Sequence, residues 1–233
     1  MRKLTNSFSK FNLYPPTSWG FQSDVHLDMG CGLNPRNPFG AKKLIGIDIL
    51  AESSMNAQQD FKYIQVLPGR AFPLENESID SISGYDFIEH LPRGSTLDSN
   101  LFISFMNESS RVLKKGGALV LVTPAFPSPS AFQDPTHVNF ISVNTVDYFI
   151  GSNPDASKLG YGFTGKFQLV TQLWVGPFTS IWGKAPIINA AGFPTHPTFL
   201  NILVQIISRI RSPRSCITAI RKPTHLLWVL QKI

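Results

Sequence analysis

The run "HLDMGCGLNPR" at residues 26–36 constrains the chain more than any other stretch. Apolar residues lead into Asp28, Gly30-Cys31-Gly32 follows at once, and Pro35 stands three residues further on. A glycine-rich turn directly after a strand lets a ligand approach the backbone, because no Cβ stands in the way. The dinucleotide fingerprint G-x-G-x-x-G uses its third glycine for close helix–strand packing beside a pyrophosphate. Here proline takes the third position, and proline suits a turn or a first helical residue but not that packing role. The turn therefore suits a ligand that needs backbone contact and lacks a pyrophosphate.

Around this turn the chain alternates short apolar runs with amphipathic ones. "VHLDM" (25–29), "KLIGIDI" (43–49) and "FKYIQV" (61–66) read as strands, and "SIDSISGYDF" (78–87) contains a fourth. "STLDSNLFISFMNESSRVLKKGG" predicts a helix with Leu101, Phe102, Phe105, Met106, Val112 and Leu113 on one face. Lys114 and Lys115 suit the negative end of that helix, and Gly116 suits a left-handed stop. "ALVLVT" (118–123) is apolar on both faces, as a central parallel strand should be. A proline-rich loop and a short helix at "NTVDYFIG" come next, and "FQLVTQLWVG" (167–176) and "HLLWVLQKI" (225–233) supply the last strands. The pattern predicts a Rossmann-like, doubly wound α/β fold. Its mostly parallel seven-stranded sheet carries helices on both faces and a C-terminal insertion before the last strand. Residues 1–23 form an irregular lead-in and 24–233 one domain, with 177–224 as an apolar, basic insertion.

At 233 residues the chain is long enough for a substantial single core. The N-terminus has no uninterrupted apolar run and does not read as a secretory signal. No stretch approaches the roughly 20 apolar residues of a membrane span. Two cysteines, Cys31 and Cys216, make neither a disulfide framework nor a metal-ligand pattern. A soluble, cytoplasmic setting is expected. Charge is unevenly spread: residues 1–155 hold 12 Lys and Arg against all 15 acids, whereas the last 78 residues hold nine Lys and Arg and no acid. That asymmetry points to an anionic partner for the C-terminal part.

Asp48 lies 20 residues after Asp28, where an acid accepts hydrogen bonds from the hydroxyls of an adenosine ribose. Asp28, beside the first glycine, suits a cationic ligand group. A ligand with a ribose, an amino-acid end and a positive centre fits these residues better than NAD does. "LDMGCGLNPR", "GIDI", "FPLENESIDSISGYDFIEHL" and "ESSRVLKKGGALVLVTP" together resemble class I S-adenosylmethionine-dependent methyltransferases, over roughly residues 24–150. Within that family the likeness is to the type 11-like bacterial branch associated with polysaccharide and lipopolysaccharide synthesis. The resemblance implies S-adenosyl-L-methionine as cofactor and methyl transfer to a small molecule, sugar or lipid-linked glycan. It implies that Gly30, Cys31 and Gly32 form the turn against the methionine moiety, with Asp28 near its amino group. Asp48 would hold the ribose, Ile49 would pack on the adenine, and Tyr85 would lie near the methionine end. The acid that the family often carries after its third strand is replaced here by Leu67-Pro68-Gly69-Arg70, so that contact falls to the backbone. The competing readings are a cofactor-binding protein without turnover and a nucleotide-sugar reductase, the latter opposed by Pro35.

His137, on the loop after the fifth strand, is the candidate general base, since a neutral imidazole near pH 7 can take a hydroxyl proton. The alternative is that Asp134 and His137 cap a turn. "DFIEH" matches at Asp86, Glu89 and His90 a metal-binding run of some quinone-pathway methyltransferases, but the Glu-His pair also orders this loop in relatives without metal. No metal is assigned. His26 is read as structural, and Cys31 as a small residue under the ligand. Residues 199–222 end an apolar run in Arg209, Arg211 and Arg214. They read as an interfacial helix on anionic lipid at the inner membrane face, as a substrate lid or dimer surface, or as a core helix with a basic end. Nucleic acid is disfavoured, because no basic stripe interleaved with aromatics is visible.

Overall fold

The computed structural model describes residues 20–32, 35–51, 61–94, 100–175 and 224–233, and the backbone of 188–189. The insertion 177–224, with the lipid-contact segment 199–222, lies outside the described residues apart from 188–189 and Thr224, as does most of the lead-in 1–23. The strands are β1 (Val25–Met29), β2 (Lys43–Asp48), β3 (Phe61–Gln65), β4 (Ile79–Tyr85), β5 (Leu113–Pro124), β6 (Phe167–Val175), β7 (Ile188–Asn189) and β8 (His225–Lys232). They form one sheet in the order β3-β2-β1-β4-β5-β8-β6-β7. The pairs from β3 through β5 are parallel, and β8 runs antiparallel to both β5 and β6. Seven strands thus make the mostly parallel Rossmann-like sheet read from the sequence. The two-residue β7, from within the insertion, adds an edge beside β6.

Helix α1 (Leu101–Val112) crosses from β4 to β5. The Asn100 side chain caps it by accepting from the amides of Phe102 and Ile103 at 3.0 and 3.3 Å. Its apolar face, with Phe102, Phe105, Met106 and Val112, is buried against Leu27, Ile82, Leu119 and Leu121 of the sheet. Alternate residues of β5, Ala118, Val120 and Val122, point the other way into a second cluster with Phe21, Leu173, Leu227 and Val229. One strand therefore feeds two cores, the two-sided burial expected of a central strand. Among the described residues α1 is the only helix longer than four residues, and the other helical pieces are α2 (Ser130–Gln133), α3 (Asp155–Lys158) and two 3₁₀ turns. The described parts of the β1–β2 and β3–β4 connections are turns and irregular chain.

The end of α1 differs from the sequence reading. The helix stops at Val112, and Leu113 is already extended and paired with Ile79. Lys114 and Lys115 are not on a helix end, and Gly116 is not its cap. Residues 114–117 instead form a bulge between the Ile79–Leu113 and Ser81–Ala118 pairs, with Gly116 at φ 77°. Lys114 pairs with Asp80 Oδ1 at 2.6 Å, while Asp80 Oδ2 accepts from the amides of Asp24 and Val25. A specific ion pair and strand pairing outweigh the weak preference of a lysine for a helix C-terminus.

Between β1 and β4 runs a buried polar chain. Ser83 Oγ donates to Asp28 Oδ1 at 2.8 Å, so its oxygen must accept from His26 Nε2 at 2.9 Å. His26 is then protonated on Nε2 alone, and its bare Nδ1 accepts from Ser81 Oγ at 2.6 Å. Ser81 Oγ also lies 2.7 Å from Ser23 Oγ. Burial lowers the His26 pKa to about 3, so the ring stays neutral and the chain keeps one direction.

The sign of the resulting pH dependence is fixed. Below the ordinary histidine pKa of about 6.5 the unfolded chain takes up a proton that folded His26 refuses, so its contribution is present above pH 6.5 and lost as pH falls toward 3. His26→Gln removes the titration. The difference in unfolding free energy, wild type minus variant, should fall by about 1 kcal/mol between pH 6.5 and 5.5 in urea melts.

Candidate functional site

The turn after β1 is tied to the end of β2. The amides of Gly30 and Cys31 both donate to the Ile47 carbonyl, at 2.8 and 3.3 Å. The Gly32 amide donates to Asp48 Oδ2 at 2.8 Å, and the Leu50 amide to Asp48 Oδ1 at 3.1 Å. Gly30 and Gly32 adopt φ values of 62° and 53°, the left-handed region that favours glycine. A Cβ on Gly30 would also meet the Phe87 ring at 2.8 Å, whereas one on Gly32 would meet nothing within 4 Å. Asp48 is thereby aimed by two backbone donors. Each of its oxygens retains acceptor capacity, since an ionised carboxylate has about four lone-pair sites.

Beside this turn opens a cleft of about 660 Å³, within the roughly 300–1,000 Å³ of small-molecule sites. Gly30, Asp48 and Ile49 line it from the two strand ends, and Leu67, Pro68 and Phe72 from the connection after β3. Asp86, Phe87 and His90 line it after β4, and Ser104, Phe105 and Glu108 from α1. Ile49 and Leu67 are 59% and 58% exposed, two apolar side chains available to a flat ring. The Leu67-Pro68-Gly69-Arg70 segment closes as a turn, Arg70 N to Leu67 O at 3.1 Å, and lines the cleft without an acid. Glu108 and Arg111 hold this wall to α1. Glu108 accepts from the Phe72 amide at 2.8 Å, and Arg111 donates to the carbonyls of Phe72 and Leu74.

The remaining residues read from the sequence sit behind the turn. Asp28 is fully buried, its oxygens accepting from Ser83 Oγ and, at 2.7 Å, from the Arg36 amide. Burial pushes its pKa up to about 6, partly offset by those donors and the Arg36 charge. It shapes the loop from below rather than facing the cleft. Cys31 packs against Gly46, where an added Cβ would lie 2.6 Å from its sulfur. Burial, then Asp28 and Asp48, push its thiol up to about 12, so it is no nucleophile. Tyr85 is the last residue of β4, lies under the Arg36 guanidinium at 4.8 Å, and packs against the second core. Its neighbours Asp86 and Phe87 reach the cleft instead. β4 ends at Tyr85, and Asp86, at φ 48°, turns the chain out of the strand so that it and Phe87 both line the cleft.

At the rim, three groups converge from two loops. Glu89, 1% exposed, accepts from Thr123 Oγ1 at 2.9 Å through Oε2, while Oε1 has no partner. Burial, reinforced by Asp86, raises its pKa to about 8. The His90 and His137 rings meet edge to face at 4.7 Å. Asp134 builds the turn to His137, its Oδ1 accepting from Thr136 N and Oγ1 at 2.8 and 2.6 Å. The turn role and the position at the rim therefore coexist. His196 lies outside the described residues, and His225 Nε2 lies 3.0 Å from Asp86 Oδ1. Phe87, Glu108 and Arg111 were not foreseen; only the aromatic directly after Asp86 carried a local signal.

Residues 27–121 match the family described as a methyltransferase domain. No curated protein matches this sequence. A SAM-dependent methyltransferase from Archaeoglobus fulgidus is similar in structure at 17% identity, with TM-score 0.50, 94% of this chain and 90% of that one covered. A protein described as an S-adenosylmethionine-dependent methyltransferase from Listeria monocytogenes gives 14% identity, TM-score 0.50, and 94% and 96% coverage. At such identities the likeness is one of fold: this chain has the Rossmann-like fold of these methyltransferases.

Proposed function

We propose that the chain is an S-adenosylmethionine-dependent methyltransferase whose acceptor is a small molecule, sugar or lipid-linked glycan, in bacterial polysaccharide synthesis. The observation that carries this reading is Asp48, a carboxylate aimed by the Gly32 and Leu50 amides into a cleft flanked by Ile49 and Leu67. These residues fit the cofactor: spare lone pairs for two ribose hydroxyls, apolar walls for adenine, and a turn with no Cβ at Gly30 and Gly32 for the methionine end. When bound, the cofactor supplies a methyl group on a sulfonium, already an excellent leaving group.

The chain's own work is then alignment and proton removal. In-line positioning of two reactants is worth several kcal/mol. The His90–His137 pair at the rim is assigned to the acceptor. His137 Nδ1 lies 3.2 Å from the Ala131 carbonyl, which can only accept, so the proton sits on Nδ1 and Nε2 keeps its lone pair. Exposed Phe126, Phe132 and Phe140 stand beside this loop, with Phe132 and Phe140 stacked at 5.1 Å and the Arg93 guanidinium 5.8 Å from Phe140. An aromatic surface with a cation at its edge supports a sugar or lipid carrying phosphate. The basic segment 199–222 is proposed as a contact for anionic lipid, and flotation with anionic vesicles should be lost when Arg209, Arg211 and Arg214 are replaced by Ser.

Two measurements test the assignment. Charged hydrogen bonds contribute roughly 1.5–3 kcal/mol, so Asp48→Ala should weaken S-adenosylhomocysteine binding by about 10- to 100-fold in calorimetry; unchanged affinity would refute the ribose role. His137→Ala should lower turnover by about 10²- to 10⁴-fold while leaving that affinity in place, checked by single-turnover methyl transfer.

A further inference from the structure

Glu89, His90 and His137 offer one ligand atom each, and these lie within 4.8 Å of one another. Glu89 Oε1 is buried and unpartnered. An unpaired buried carboxylate oxygen is costly and calls for a partner.

The hydrogen bonds also decide which nitrogens are free. Thr136 Oγ1 donates to Asp134 Oδ1 at 2.6 Å, so toward His90 Nδ1, 3.0 Å away, it is an acceptor. His90 therefore carries its proton on Nδ1, as His137 does opposite the Ala131 carbonyl. Both rings are held in the tautomer whose Nε2 is bare, each by a second hydrogen bond of the kind that orients metal-ligating histidines. Asp86 is not part of this set, since it faces His225 Nε2 at 3.0 Å.

We propose that Glu89, His90 and His137 form a binding site for a divalent cation that favours imidazole, with Zn²⁺ the best fit. Two nitrogen donors and one carboxylate match Zn²⁺ chemistry, whereas Mg²⁺ prefers oxygen ligands and keeps its waters. Closing the donors around an ion with bonds of about 2.0–2.2 Å needs the Nε2 atoms of the two partly exposed imidazoles to swing inward about their retained Nδ1 hydrogen bonds, and Glu89 stays where Thr123 holds it. Three protein ligands leave a position open, and His90 already lines the cleft. The use of the site rests on the methyl-transfer reading and, with the ion bound, replaces the direct base role given to His137 above. A hydroxyl of the acceptor coordinates the open position, its proton is released to solvent, and its oxygen forms the new O–CH₃ bond as the sulfonium S–CH₃ bond breaks. The His137 lone pair thus promotes proton loss through the cation rather than by taking the proton itself.

The test is calorimetric titration of the full-length chain with ZnCl₂ and, separately, MgCl₂. Co²⁺ absorption serves as a spectroscopic check of nitrogen ligation. One Zn²⁺ per chain is expected, bound at least 10-fold more weakly by His90→Ala and by His137→Ala, with Mg²⁺ giving weaker binding than Zn²⁺. Both variants alter partly exposed residues, and circular dichroism confirms their folding; Glu89→Gln is the third arm. Zn²⁺ binding that survives both histidine substitutions, Mg²⁺ binding as tight as Zn²⁺, or no Zn²⁺ binding overturns the proposal. S-adenosylhomocysteine affinity is measured in parallel: its loss in Asp48→Ala and retention in His137→Ala separates failure of the metal site from failure of the cofactor reading.

Discussion

The site depends on the way the end of β2 holds the turn that leaves β1. Three successive amides, of Gly30, Cys31 and Gly32, are satisfied by the Ile47 carbonyl and the Asp48 side chain. Because β1 and β2 are neighbouring parallel strands, their carboxyl ends lie side by side. One carboxylate can then both close the turn and face the cleft. The cleft therefore opens at the strand ends, where open α/β sheets bind their ligands.

A second constraint lies one layer below. Asp28, His26, Ser81 and Ser83 are fully buried on the two adjacent strands. Desolvation works against the charged forms of both Asp28 and His26, and a buried polar group without a partner costs about 1–3 kcal/mol. The network offsets this by satisfying both histidine nitrogens and both carboxylate oxygens. The return is specificity: Asp28 grips the Arg36 amide and so sets the path of the chain leaving the glycine turn. Glu89 is the contrasting case, because one of its oxygens remains without a partner at the rim of the cleft.

Strand positions were legible because their signals are local. Two-sided apolar runs such as "ALVLVT" need a place between two cores, and β5 has one. Asp48 was legible too, since its spacing from Asp28 follows from one strand, one turn and a second strand. Asp28 and Tyr85 were harder. Their residue types suit a ligand, but alternation along a strand and the reach of Ser83 and Arg36 directed them elsewhere. Gly116 read as a helix stop and became part of a bulge, because strand pairing at Leu113 began one residue after the helix ended.

The sequence by itself determined the alternation of elements, the glycine turn after β1 and the acid at the end of β2, because periodicity and short spacings act through neighbours in the chain. Tertiary structure alone decided which side chains share the cleft. Glu108 and Phe105 of α1 meet Leu67 and Asp48 there, and Glu89, His90 and His137 converge at its rim. Those encounters join residues tens of positions apart. They are set by how strands and loops pack around a common core, which no local pattern encodes.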